Sequence, residues 1–164
     1  AKLMPPYAVS VGLLKDKKPD IGVLYNPVTK EMFEAKKGCG AFLNGEAIGV
    51  SEKKLCEGMV LLESTSYYPE LKKGMLEILT KLCMNSADYR VLGSSAVALC
   101  YLAAGRAEVF ANLRLQPWDY AAAAIILEEA GGEIETVEGD YVSFDGPSTV
   151  FASNKAEDYR KYIK

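Results

Sequence analysis

One carboxylate, Asp119, opens an otherwise apolar stretch, QPWDYAAAAIILEEAGG (Gln116–Gly132), directly after Pro117 and the only Trp of the chain, Trp118. Two kinds of chemistry suit it. Pro117 fits the first position of a helix, where its missing N–H costs nothing. Asp119 then falls at the third position, where a carboxylate meets free N–H groups and the positive end of the helix dipole, worth about 0.3–1 kcal/mol. The second use is as a ligand to a hard cation, which would need further oxygen ligands from elsewhere. The local sequence leaves both uses open.

Two other stretches carry residues suited to binding. In LGSSAVALC (Leu92–Cys100) a strand ends, Gly93 permits close approach, and Ser94 and Ser95 open a helix. Backbone N–H groups at such a turn suit phosphate or sugar hydroxyls, and ligands of open α/β sheets gather at the carboxyl ends of strands. The plainer reading of the same residues is a serine N-cap. In FANLRLQPWD (Phe110–Asp119), Asn112 and Arg114 lie between a strand and the Asp119 helix, able to reach the same sheet edge or simply to form a solvated loop. Glu128-Glu129 reads as a helix-end pair rather than a catalytic dyad.

Composition removes several alternatives. The 164 residues include no His, which excludes Ser-His-Asp and Cys-His nucleophile activation within the chain. Cys39, Cys56, Cys83 and Cys100 form no C-x-x-C pair, so a thiolate metal site is not expected; Cys83 and Cys100 sit in apolar helical patterns as core residues. The cysteine pattern leaves disulfides open, and the compartment is taken as reducing, hence cytoplasmic. A net charge of −3 argues against a nucleic-acid partner. No apolar run approaches the roughly 18 residues of a membrane span, and no signal peptide is visible. Catalysis is left to carboxylates, hydroxyls, Lys or an oxygen-bound cation.

The elements that must position these residues change in character along the chain. Residues 7–50 read as antiparallel strands: Ala8–Leu14, a turn over Lys15–Asp20, Ile21–Tyr25 with Ile21, Val23 and Tyr25 as its apolar face, Glu31–Lys37, and Ala41–Ile48 with an Asn44-Gly45 hairpin. From there the pattern alternates. Strands are expected at Met59–Ser64, Asp88–Leu92, Ala107–Leu113, Gly132–Gly139 and Ser148–Ser153. Helices are expected at Glu70–Cys83, Ser94–Gly105, Pro117–Ala130 and Ala156–Ile163. This is an α/β (α+β) chain: antiparallel hairpins over residues 1–52, then a mixed α/β layered part over residues 53–164 that carries the Trp-Asp motif.

Taken in order, AVSVGLL…IGVLYNPVTKEMFEAKKGCGAFLNGEAIGVS (Ala8–Ser51), RVLGSSAVALCYLAAGRAEVF (Arg90–Phe110) and WDYAAAAIILEEAGG (Trp118–Gly132) resemble the inositol monophosphatase family over nearly the whole chain. The resemblance implies a place in a sugar-phosphatase αβαβα sandwich and in a magnesium-dependent, lithium-sensitive phosphatase, typically a dimer or tetramer. It implies that Asp119 ligates a metal and touches the substrate, and that Gly93, Ser94 and Ser95 hold sugar hydroxyls. Asn112 falls near a position where inositol-preferring members carry Glu, which puts inositol specificity in doubt.

The resemblance is to the C-terminal portion only. In the family, a Glu-Glu pair and an Asp-Pro-Ile-Asp-Gly-Thr motif of the N-terminal half supply most metal ligands and activate the attacking water, and no Asp-x-x-Asp-Gly-Thr occurs in these residues. Two-metal hydrolysis needs ions about 3.5–4 Å apart, which one Asp cannot organise. The expectation is a C-terminal part of a phosphomonoesterase acting on a sugar or inositol phosphate, a homodimer, with the chain alone inactive. The alternatives are a non-catalytic sugar-phosphate-binding or oligomerising module, or one of two chains of a split phosphatase.

Overall fold

Tight turns build the first sheet. The computed structural model describes residues 7–63 and 68–163. Strands β1 (Val9–Lys15) and β2 (Lys18–Asn26) are joined through Asp16 and Lys17 alone, at φ of 51° and 59°. Two left-handed residues match the twist of a hairpin. The turn is therefore shorter than the expected Lys15–Asp20, and β2 begins earlier, with Pro19 paired to Leu14 at a register shift. β3 (Glu31–Lys36), β4 (Ala41–Leu43) and β5 (Glu46–Ile48) complete an antiparallel sheet in sequential order. Asn44 and Gly45, at φ of 51° and 84°, form the predicted hairpin.

This sheet buries the face opposite to the one that hydrophobicity suggests. Gly22, Leu24 and Asn26 point inward on β2, while Ile21 and Val23 are half-buried and Tyr25 is exposed. Glycine is the reason. A Cβ on Gly22 would lie 2.3 Å from the carbonyl oxygen of Ala122, so helix backbone rests directly on the strand. A residue without a side chain gives no apolar signal, and the packed face is hidden from a periodicity reading.

The second sheet has the order β7-β6-β8-β10-β9, formed by β6 (Met59–Leu62), β7 (Asp88–Val91), β8 (Val109–Leu115), β9 (Glu133–Glu135) and β10 (Ser148–Ser153). β6 runs parallel to both β7 and β8, and β10 is antiparallel to β8 and β9. The expected end of the β6 strand at Ser64 lies outside the described residues. Helix α1 (Lys72–Cys83) is amphipathic and turns Met75, Ile78 and Leu82 inward. Helices α2 (Ser95–Ala103) and α3 (Pro117–Glu129) are apolar on all sides, which suits a layer between two sheets. Leu24 and Phe33 of the first sheet share one core with Leu99, Ile125 and Ile126 of these helices and Phe110 of the second sheet. A second core joins α1 to the other face of the second sheet.

Two late elements are shorter than expected. β9 covers Glu133–Glu135 rather than Gly132–Gly139, because Gly139, at φ 108°, turns the chain back so that Tyr141 bridges Glu135. The helix expected over Ala156–Ile163 is only a 3-10 turn, Tyr159–Tyr162. Its side chains serve tertiary bonds instead: Glu157 accepts the Leu55 N–H at 2.8 Å, and the Tyr159 hydroxyl donates to Asn154 Oδ1 at 2.7 Å. No helix of the described residues is long and apolar enough to cross a membrane.

Candidate functional site

In the order β7-β6-β8 the chain leaves β6 for a neighbour on one side and, through α2, returns to the other side. The carboxyl ends of the parallel strands therefore part at β6, the place where open α/β sheets hold ligands. A cleft of about 410 Å³ lies there. Gly93, Ser94, Ser95, Asn112 and Asp119 all line it, so the structure brings together every residue that the sequence singled out for binding.

Asp119 sits in the first turn of α3, half-buried. The Gln116 N–H donates to its Oδ2 at 2.9 Å, and its own N–H donates to the Gln116 carbonyl at 2.9 Å. The helix-start role is thus realised. Among the described residues no hydrogen bond engages its Oδ1. Trp118 beside it is 71% exposed. Behind it, burial and then the Asp119 charge push the Tyr120 hydroxyl up to about 12, so Tyr120 stays a phenol and anchors α3 to the Ser143 carbonyl.

The β7–α2 turn is set by conformation. Gly93 lies at φ 87° with open space around its missing Cβ, so glycine is needed for the backbone and not for room. Ser94 is the N-cap of α2 and its hydroxyl accepts the Val97 N–H at 3.5 Å. Ser95 begins the helix.

Glu63 is the site residue that sequence reasoning missed. It follows β6, is 7% exposed and lines the same cleft. The Gly93 N–H lies 2.9 Å from each of its carboxylate oxygens, and the Leu92 N–H donates to Oε1 at 3.2 Å. Burial pushes the Glu63 carboxyl above the usual carboxylate range, against the pull of the Gly93, Leu92 and Ser94 N–H groups. The available signal was an acid closing the apolar run MVLLES.

Asn112 is 3% exposed, and its amide is engaged: Oδ1 accepts the Arg114 N–H at 2.8 Å and Nδ2 reaches the Glu63 carbonyl at 3.5 Å. Arg114 is exposed, with its guanidinium 4.7 Å from the Tyr68 ring centroid. Glu128 and Glu129 lie elsewhere. Glu129 accepts the Gly38 and Gly40 N–H groups at 2.8 Å each, and Glu128 accepts the Tyr141 hydroxyl at 2.8 Å, as a helix-end pair would. The four cysteines are free, with Cys100 buried and Cys83 half-buried. Among the described residues no three acidic or Cys side chains gather in a way that could hold a metal ion. Asp119 has an oxygen to offer one, whereas both oxygens of Glu63 are committed to backbone.

The layered α/β fold brings hydroxyls, a carboxylate oxygen unbonded among the described residues and a glycine turn together at its switch point. Comparison names the class. The model of the inositol monophosphatase family matches residues 1–163. The chain is 36% identical over 144 residues to Nus factor SuhB of Vibrio cholerae, covering 86% of this chain and 54% of that protein. It is 31% identical over 148 residues to inositol-1-monophosphatase of Bacillus subtilis, covering 90% of this chain and 56% of that one. Among solved structures, inositol monophosphatase from Anabaena superposes with a TM-score of 0.89 at 28% identity, over 97% of this chain and 63% of that one. The chain belongs to the inositol monophosphatase family, and it spans about half the length of the curated relatives it matches.

Proposed function

We propose that this chain is the sugar-binding, C-terminal part of a magnesium-dependent phosphatase that hydrolyses a sugar or inositol phosphomonoester. The observation that carries the reading is the meeting of the Gly93 turn and the Asp119 helix start in one cleft of a family member. Magnesium, when bound, would supply Lewis acidity and activate the attacking water. Asp119 would hold it through the carboxylate oxygen that the helix cap leaves open, and the same group would receive a substrate hydroxyl. Gly93, Ser94 and Ser95 would hold the other hydroxyls. Asn112 would influence selection by fixing the floor of the cleft, since its amide is already bonded. One carboxylate cannot complete an octahedral site, so the remaining ligands come from outside these residues and the chain alone is inactive. The assembled protein is a homodimer.

Isothermal titration of the chain with magnesium and inositol phosphate, in the wild type and in Asp119→Ala, tests this. Magnesium-dependent binding should fall in the variant, and no hydrolysis should be seen in either. Binding indifferent to Asp119 would remove the phosphatase reading. Magnesium-dependent hydrolysis by the purified chain would refute its inactivity.

A further inference from the structure

The β7–α2 turn has the form of an anion site. Gly93 is left-handed, consecutive N–H groups converge, and a helix begins immediately after. Yet the converging groups already hold an anion. The carboxylate of Glu63 takes the Gly93 N–H on both oxygens at 2.9 Å and the Leu92 N–H at 3.2 Å. The Ser94 N–H also acts on this carboxylate, and the Val97 N–H goes to the Ser94 hydroxyl. Glu63 is nearly buried and is seated by register. Leu62 pairs with Val91 in parallel, so the residue after β6 meets the residues after β7.

A carboxylate in this seat changes what the turn recognises. A phosphate brought to the turn would find its strongest donors occupied and a like charge behind them. Arg114 is the cation among the described lining residues, and it stands over the Tyr68 ring, on the strand that leads to α3 rather than on the turn. What the turn still presents is neutral. The N–H groups of Ser95 and Ala96 and the hydroxyl of Ser95 have no hydrogen-bond partner outside α2 among the described residues. Those groups match a hydroxyl, which both donates and accepts.

We infer that Glu63 is a positioning residue that fills the anion seat of the β7–α2 turn, so that this end of the cleft takes a neutral, hydroxyl-bearing part of the ligand and rejects a phosphate group. The inference rests on the reading of the cleft as a sugar-phosphate site and sharpens it. The ligand lies with its polyol against Gly93–Ser95 and its phosphate towards Asp119. A ligand with a second phosphate at the polyol end is a poor one.

The test uses the 15N-labelled chain, with inorganic phosphate and myo-inositol as separate probes. In the wild type, myo-inositol should shift the Gly93–Ala96 amide resonances and phosphate should leave them in place. In Glu63→Gln, phosphate affinity at these amides should rise by about tenfold or more, the effect of lifting one like charge at a contact. Glu63→Asp, which keeps the charge, should restore exclusion. A merely structural role would not reverse the preference between two probes. Phosphate shifting the Gly93 and Ser94 amides of the wild type would overturn the inference, whatever the variants do. So would myo-inositol leaving the turn untouched. The phosphatase reading fails differently, by inositol phosphate and magnesium together producing no change near Asp119.

Discussion

Replacing Asp119 separates its two roles, because they respond differently to the choice of substitute. As a helix-start group it accepts the Gln116 N–H at 2.9 Å within the first turn of α3. Asp119→Ala removes that bond and the favourable charge. Loss of a capping acceptor costs about 1 kcal/mol, and loss of the charge–dipole interaction about 0.3–1 kcal/mol. Asp119→Asn keeps an acceptor in the same place and loses only the charge. For a chain of this size about 1 kcal/mol moves Tm by roughly 2–4 °C. Asp119→Ala should therefore lower Tm by roughly 2–8 °C, and Asp119→Asn, which loses the charge term alone, by roughly 1–4 °C. As a metal and hydroxyl ligand the order changes. Both variants lose the anionic oxygen, and a hydrogen bond or contact to a charged group contributes about 1.5–3 kcal/mol, so both should weaken magnesium-dependent inositol phosphate binding by about tenfold or more. Thermal melts and titration calorimetry on the same samples give the two rankings. If Asp119→Asn matches the wild type in binding, the carboxylate is a cap alone and the ligand reading is refuted.

Two further outcomes follow from the packing around that helix. Gly22→Ala should destabilise the chain by about 1–3 kcal/mol in urea denaturation, because the new methyl meets the Ala122 carbonyl at 2.3 Å and the Ile125 methyl at 2.6 Å, and helix backbone cannot step aside cheaply; a neutral result would mean that α3 and β2 are not held this closely. The outer face of the first sheet leaves Val9, Val11, Leu13, Tyr25 and Met32 exposed in adjacent rows, an apolar patch of the kind that marks an interface. The chain should self-associate through it, and Val11→Lys with Leu13→Lys should shift sedimentation towards monomer with little change in stability; a wild type that is a well-folded monomer would refute this.

How much of this was legible in the sequence depended on whether the deciding contact was local. Asn44-Gly45 and the Ser94 cap are statements about neighbouring residues, and both stand as read. Asp16-Lys17 is also local, yet neither residue is glycine, so its left-handed pair gave no signal. The packed face of β2 was misread because its contact with α3 is made by the absence of a side chain at Gly22. Candidate site residues were found where chemistry and turn coincide in sequence, at Gly93–Ser95 and at Asp119. Glu63 was not found, because its partners Leu92 and Gly93 are distant in the chain and reach it only through parallel pairing of β6 with β7.

That difference bears on how the cleft is organised. Asp119 and Glu63 are both carboxylates that accept backbone N–H groups at a strand-to-helix junction, yet they end with opposite roles. Glu63 is nearly buried and turns both oxygens to the backbone of the turn. Asp119 is half-exposed, lines the cleft and gives one oxygen to Gln116, so the bond that caps the helix fixes the carboxylate while its other oxygen takes no hydrogen bond among the described residues. The local reading and the ligand reading of Asp119 are therefore not rivals in this geometry. A carboxylate fixed by its own helix cap is already oriented, and a cation arriving there need not order it.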